Sequence, residues 1–441
     1  MQSPSDPAAA QVRDFAIESM AYGGKGIARV DGKVWFVEGA IPGDEVRARV
    51  TEDSGRYCDA EILEIRKPSA LRESPRCGYS SRCGGCQWMG VDSAHQLDWK
   101  RQFVETSLKR IGKLGAEVPI EILPAPEVFA YRNRVLMRVH LDETGLLAVG
   151  YFRRGTRELV AVDRCEIAAA PINALLVQLQ AEDWHGCGPL KARLEVQEIP
   201  PATTDSPAGR LVVTVYPAEG ARERMDAFVQ RLAVLPGVHW AGLVFDLAKA
   251  PAVLFDRDLG VDFYTIPGQF QQVNVAHNRT LRRLVQSKVD ELAPQRILDV
   301  FCGSGNLSLP LADGTRYVEG VEANRMAITC ARKNVEANDT RNTCYLTGDA
   351  EKHLWKCARG GETFDLVLLD PPRQGMYQGM VPLKKIAPRS IIYVSCDPTT
   401  LARDLGYLCR KDAYVIERVV ALDFFPNTYH VETVAFLRRS E

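Results

Sequence analysis

No stretch of the 441-residue sequence reaches the roughly 18 apolar residues that a membrane-crossing helix needs, and the opening MQSPSDPAAA lacks the basic and then apolar segments of a secretory leader. Histidine is scarce as well: there are seven, none in HExxH spacing, which argues against a histidine-built metal centre. An excess of either charge is also missing. Lys and Arg number 55 against 56 Asp and Glu, a net of -1, which excludes a generally basic protein that coats nucleic acid. Any nucleic-acid site has to be a local patch. What the chain does have is 46% hydrophobic and 25% charged residues, the composition of a globular protein, and a length beyond one domain of about 100 to 200 residues. It also has twelve cysteines. Secreted disulfides and reduced thiols compete as explanations, and without a leader we expect a cytoplasmic, membrane-free protein whose thiols serve as ligands or nucleophiles.

Along the chain the rhythm changes three times. After a polar tail of about ten residues, AIESMAYGGKGIARV, KVWFVEGAIPGDEVRARV and YCDAEILEI read as short strands broken by glycine turns, a small β-barrel over residues 10–67 that ends at Lys67-Pro68-Ser69. The run SPRCGYSSRCGGCQW, with no periodicity, is a loop folded around something. From His95 to Gly112, Leu97, Val104, Leu108 and Ile111 fall at helical spacing and predict an amphipathic helix, within 93–113, able to dock on the C-terminal domain. RVLMRVHL and LLAVGYF flank Asp142–Gly145 as a hairpin, RLVVTVY and WAGLVFDL follow as further strands, and the Pro/Thr/Ser-rich run 200–208 reads as an exposed loop. A central β-rich domain is thus expected over 68–267. From 268 to 441 the apolar runs RILDVFC, TRYVEGVE, NTCYLTGD, FDLVLLD and RSIIYVSC alternate with helix-compatible stretches, the pattern of an α/β Rossmann-like domain with a sheet covered on both faces.

LDVFCGSGNLSLPLA places Asp299 at a strand end before Gly303-Ser304-Gly305, a turn expected to lead into a helix whose N-terminus can face a ligand. A lone GxG is weak evidence. Glu322, at the end of the next strand, stands where an adenosine ribose needs a hydroxyl acceptor, and Asp349 after the third strand could meet the adenine. The turn is GSG and not GxGxxG, so S-adenosyl-L-methionine fits better than a dinucleotide. LLDPPRQG and IIYVSCDP both follow strands, which brings Asp370 and Cys396 to one carboxyl-edge crevice. Enzymes that methylate an amino group on adenine want an aromatic after DPP, and here Arg373 stands there. A cysteine nucleophile suits a carbon target. Uracil C5 is not nucleophilic until a thiolate adds to C6, and its proton must later leave to a base. Glu432, in LDFFPNTYHVET, is the candidate base; His430 reads as a loop-bracing side chain, and Cys396 considered alone would serve equally as an inert buried turn cysteine.

These motifs together resemble the S-adenosylmethionine-dependent RNA uracil-5-methyltransferases, within which the sequence is most similar to the iron-sulfur 23S rRNA type. The resemblance rests on DPPRQG followed after 15 residues by IIYVSCDPTT, on LDFFPNTYHVE, and on FVEGAIPGDEV, which is close to the wording of a TRAM domain, an OB-like RNA-binding barrel. It covers nearly the whole chain. It implies Cys396 as nucleophile, Glu432 as base, and cofactor contacts at Gln272, Phe301, Asn306, Glu322, Asp349 and Asp370. Asn427 departs from the Gln or His usual before the Thr.

Cys77-x5-Cys83-x2-Cys86, with Cys165 as a fourth ligand, offers four thiolates to metal. The spacing does not separate zinc from an iron-sulfur cluster, although the paired CxxC of zinc ribbons is absent; the resemblance implies [4Fe-4S]. For RNA, Arg132, Arg134, Arg138, Arg153, Arg154 and Arg157, set against Asp142 and Glu143 and interleaved with Tyr131, Tyr151 and Phe152, form a local patch of net +4. The expected protein is therefore a monomeric enzyme that methylates C5 of a uridine in 23S rRNA through a covalent Cys396–C6 adduct while Asp370 hydrogen-bonds the ring. A tRNA uracil-5-methyltransferase is the alternative within the class, and a non-catalytic RNA-binding or assembly factor is the alternative outside it.

Overall fold

The computed structural model describes residues 12–114, 118–199, 210–218 and 225–440; the run 200–208 and the N-terminal tail lie outside them. The first unit consists of β1 (Val12–Ala16), β2 (Ser19–Met20), β3 (Gly26–Val30), β4 (Lys33–Glu38), β5 (Glu45–Asp53) and β6 (Tyr57–Lys67), ordered β1-β5-β6-β4-β3-β2. β1 pairs with β5 while β2, its continuation past a bend, pairs with β3, so residues 12–20 close the sheet on itself as a barrel. Alternate residues point inward, Trp35 and Val37 on β4 and Val46 and Ala48 on β5. Buried Asp44 pins the exit of the barrel: it accepts from the Ile41 and Ser69 amides and from Arg72, which holds its carboxyl below the usual range against the opposing effect of burial.

Next come α1 (Ser93–Arg110), capped by Asp92, and β7 (Ile120–Leu123). Both belong in space to the C-terminal sheet. β7 runs parallel to that sheet's strand Tyr414–Leu422, and α1 lies against its last helix. The central sheet is built from β8 (Arg134–Leu141), β9 (Leu147–Phe152), β10 (Leu159–Ala161), β11 (Leu190–Ile199), β12 (Arg210–Pro217) and β13 (Val238–Leu243), in the order β10-β9-β8-β11-β12-β13. The helices α2 (Ala170–Ala181) and α3 (Met225–Ala233) pack on one face, sealing a core that includes Met137, Leu176, Trp184, Leu194 and Phe228. The hairpin β14 (Val253–Asp258) and β15 (Val261–Thr265) leads to α4 (Val275–Leu292).

The remaining strands are β16 (Arg296–Val300), β17 (Tyr317–Glu322), β18 (Thr343–Thr347), β19 (Leu366–Leu369), β20 (Ser390–Ser395), β21 (Tyr414–Leu422) and β22 (Glu432–Arg439). Between them lie α5 (Arg325–Ala337), α6 (Ala350–Gly360), α7 (Met380–Ile386) and α8 (Pro398–Leu408). The sheet order is β18-β17-β16-β19-β20-β22-β21-β7, with the first five strands parallel and β22 antiparallel to β20. Strand order reverses between β16 and β19, which opens a crevice at the carboxyl edge. The helix expected after β16 is not there: residues 301–308 form turns, followed by one 3-10 turn at Leu309–Leu311. Phe301, Gly303 and Gly305 all hold positive φ, which a right-handed helix cannot start from. Among the described residues no helix is long and apolar enough to cross a membrane.

Candidate active site

The candidate catalytic groups come together because of the sheet's register. Cys396 follows β20, whose Ser395 pairs with Thr433 of antiparallel β22, so Glu432 at the start of β22 sits beside Cys396 at the same edge. Asp370 follows β19, the neighbour of β20 on the other side. Burial pushes the Cys396 thiol up to about 12, and the negative fields of Glu432 and Asp370 add to this, while Arg373 opposes it. Burial also raises Glu432, again with Asp370 adding and Arg373 opposing. Asp370 is raised to about 7 by burial and then by Asp299 and Glu322, and Asp299 is raised to about 7 by burial, with Glu322 adding and a Ser308 hydrogen bond opposing. One carboxylate oxygen of Asp299 has no hydrogen-bond partner. A crevice lined by Asp299, Glu322, Asp370 and Glu432, two of them held near neutrality, is built for a cationic ligand, and S-adenosyl-L-methionine carries both a sulfonium and an ammonium.

The other residues expected at the cofactor occupy this edge in different ways. Phe301 turns the chain at φ +68°, its amide bonded to the Val321 carbonyl, and a Cβ placed on Gly303 would meet nothing within 4 Å, so the chain lies open there. Gln272 is buried in the loop before α4, where neighbouring Gln271 bonds Thr265 and reaches Ser304 in the glycine turn. Glu322 accepts from the Asn324 amide, and Asp349 caps α6 through the Lys352 amide. Asn306 has its side chain committed to the protein: its amide exchanges bonds with Asn278 and accepts from Arg282, itself paired with Asp256.

Two residues at the site, Asp397 and Tyr22, gave no sequence signal. Asp397, next to Cys396, caps α8 through the Thr399 and Thr400 amides and accepts a 3.2 Å bond from the hydroxyl of Tyr22, which the barrel contributes. Tyr22 also meets Tyr429 edge-on. His430 stacks on Tyr429 and is lowered to about 4 by burial and by Arg373, Lys100 and Arg132, so it is neutral at physiological pH. Asn427 adopts φ +66°, a conformation Asn tolerates well, while its backbone and side chain bond Gln96, Val128, Gln87 and Trp88.

Cys77, Cys83, Cys86 and Cys165 line one cavity of about 150 Å³ together with Tyr79, Tyr151 and Met89. Among the described residues no three of these sulfurs lie within 4.8 Å of one another; the donors that do are Glu319 on β17 and His353 and Cys357 on α6. Burial raises Cys77, Cys83 and Cys86, the last up to about 12, and the neighbouring thiols add to it.

The arginine patch needs correction. Arg134 is tied to Glu195 and the Gln269 carbonyl, Arg132 to the Arg134 carbonyl, Arg153 to Glu158, and Arg154 to Glu38 and the Cys86 carbonyl. Tyr131 is buried on the Pro426 carbonyl, and Tyr151 lines the cysteine cavity. A strand alternates sides, and only Arg138, Arg157 and Phe152 of the set face a surface groove.

A doubly wound sheet with an acidic crevice at its carboxyl edge is the architecture of an S-adenosylmethionine-dependent methyltransferase. The tRNA (Uracil-5-)-methyltransferase family matches over residues 253–440 and the TRAM domain over 11–63. The chain is 33% identical to an uncharacterized RNA methyltransferase of Thermosynechococcus vestitus, over 97% of this chain and 98% of that one. It is 32% identical to the 23S rRNA (uracil(1939)-C(5))-methyltransferase RlmD of Pseudomonas aeruginosa, over 98% and 95%. Among solved structures, that of the Pyrococcus abyssi tRNA (uracil-54, C5)-methyltransferase in complex with S-adenosyl-L-homocysteine superposes with a TM-score of 0.66 at 26% identity, covering 96% of this chain and all of that one. The chain belongs to the S-adenosylmethionine-dependent RNA uracil-5-methyltransferases and carries a TRAM domain at its N-terminal side.

Proposed function

We propose that this enzyme methylates C5 of a uridine in 23S rRNA through a covalent adduct on Cys396. The observation that carries the reading is the convergence of Cys396, Asp370 and Glu432 across β19, β20 and β22. Cys396 forms a bond from sulfur to C6 of a uridine taken out of its stack, and the ring's π electrons move toward C5 and O4. Asp370, protonated in part near neutral pH, donates to the ring. S-adenosyl-L-methionine, held among Gln272, Phe301, Asn306, Glu322, Asp349 and Asp370, supplies the electrophilic methyl that C5 accepts. Glu432 then takes the C5 proton, and the returning electron pair expels the Cys396 thiolate. With its thiol near 12 in the unliganded crevice, Cys396 reacts only when its proton is drawn off or a cation offsets the neighbouring acids. Incubation with S-adenosyl-L-methionine and RNA containing 5-fluorouridine should leave a methylated adduct stable to denaturation, because after methyl transfer fluorine cannot leave C5 as a proton does. No adduct, or an undiminished one in Cys396→Ala, overturns the reading.

Two further assignments belong to it. The relative from Pseudomonas aeruginosa supports rRNA over its full length, whereas the Pyrococcus abyssi structure supports tRNA. Methyl transfer to purified rRNA and tRNA, assayed separately, decides. We also assign a [4Fe-4S] cluster to Cys77, Cys83, Cys86 and Cys165. Their sulfurs line one cavity and no three of them lie within 4.8 Å of one another, whereas a tetrahedral zinc at about 2.3 Å needs all four about 4 Å apart.

A further inference from the structure

The face of the central sheet turned away from α2 and α3 carries a groove of about 630 Å³. Its floor follows from register. Arg138 on β8 lies directly opposite Arg193 on β11, Arg193 is opposite Tyr216 on β12, and Lys191 is opposite His140. The alternate residues of β8, Val135, Met137, Val139 and Leu141, are buried on the other side, so these side chains have no route into the core.

Like charges facing each other across a strand pair destabilise a sheet, and proteins ordinarily offset them with a neighbouring carboxylate. The same face does so one step along, where Arg134 pairs with Glu195. In the groove it does not. Among the described residues none of Arg138, Arg157, Lys191 and Arg193 forms an ion pair, and no carboxylate lines the groove. The two central guanidiniums lie over aromatic rings instead, Arg138 at 4.4 Å from the Phe152 ring centre and Arg193 at 4.9 Å from that of Tyr216. Unneutralised cations beside planar aromatic and guanidinium surfaces are what an unpaired nucleic-acid strand needs, phosphates on the charges and bases on the planes.

The groove is also wired to the reaction crevice. Phe152 accepts the Gly84 amide, and Arg154 holds the Cys86 carbonyl. Three residues past Gly84, the amides of Gln87 and Trp88 both bond the carbonyl of Asn427 in the loop that leads to Glu432. The groove and the loop that leads to Glu432 are thus joined through the cysteine loop by hydrogen bonds.

We propose that this face is a second RNA-binding site, separate from the crevice, that holds an unpaired stretch of the substrate RNA. It rests on the reading of RNA as substrate. The test titrates the full-length protein and two double variants, R138A/R193A and R157A/K191A, with a short oligouridylate at several salt concentrations. Thermal midpoints and S-adenosyl-L-homocysteine affinity report whether each variant keeps its fold. Each pair should weaken binding at least about tenfold at physiological salt, and the slope of log Kd against log salt should fall by about 1.4, the value for two phosphate contacts on a single strand. Unchanged affinity and slope in both variants overturn the proposal. So does tighter binding of polyglutamate than of oligouridylate, which would mark a protein-docking face. Failure of covalent capture by the wild-type enzyme would sink the proposed reaction while leaving the oligouridylate titration to judge the groove.

Discussion

Asp299 and Asp370 are carboxyls whose folded-state pKa, about 7 for each, lies well above the ordinary carboxylate value of 3.8. In the native state they hold protons that the unfolded chain releases. Stability from them is full below pH 3.8 and is lost as pH rises toward 7, so the unliganded protein carries a growing electrostatic cost across that window. A cationic ligand removes that cost. The gain in melting temperature from S-adenosyl-L-methionine should therefore widen between pH 5.5 and pH 8, as read by thermal denaturation with and without ligand. A gain that is flat or shrinks with pH would contradict the role given to the acids. At this scale much was legible, because Asp370, Cys396 and Glu432 stand at strand ends inside distinctive local wording. Arg373, Asp397 and Tyr22 were not, since what makes them part of the site is a field or a hydrogen bond arriving from another segment.

Helix α1 shows how an element can be found and its face misread. The sequence spacing selects Leu97, Val104, Leu108 and Ile111, whereas the buried face runs through Gln96, Trp99, Lys100, Phe103, Val104, Ser107 and Leu108, and Ile111 is exposed. Polar Gln96 and Lys100 are inside because the loop before β22 brings them partners: Lys100 pairs with Asp423 and donates to the Phe425 carbonyl, and Gln96 bonds Asn427. No periodicity reveals partners more than 300 residues away. The helix thus clamps the loop that carries His430 and leads to Glu432. Lys100→Met, which leaves Asp423 buried and unpaired, should cost about 3 to 5 kcal/mol in urea denaturation and lower kcat. A variant as stable and active as wild type would show the clamp to be dispensable. Five strands of the C-terminal sheet, β16 to β20, were legible for the opposite reason: a strand buried on both faces is largely apolar, and β20, buried at all six positions, reads SIIYVS.

At the scale of the molecule, a TRAM barrel stands at the N-terminal side, a methyltransferase sheet at the C-terminal side and a six-stranded sheet between them, but the chain does not keep them apart. Residues 93–123 leave the central region to supply α1 and the edge strand β7 of the C-terminal sheet. The barrel reaches Asp397 through Tyr22, and Arg154 ties Glu38 of the barrel to the cysteine loop. The cysteine loop stands at this junction, so the cluster proposed there should matter for stability as well. Anaerobically purified protein should be brown with about four irons per chain, and Cys86→Ser should lose both colour and iron and melt at a lower temperature. A colourless wild-type protein with stoichiometric zinc would contradict the cluster. The near-zero net charge likewise resolves only in three dimensions, where Arg138 and Arg157 are joined by Lys191 and Arg193 from a strand about fifty residues further on. The central claim is that Cys396 bonds to C6 and that Glu432 removes the C5 proton before the sulfur can leave. The most direct measurement is the intact mass of Glu432→Gln after mixing with unsubstituted substrate RNA and S-adenosyl-L-methionine. The account predicts accumulation of a methylated protein–RNA adduct that maps to Cys396. Release of 5-methyluridine RNA at the wild-type rate, with no adduct, would contradict it.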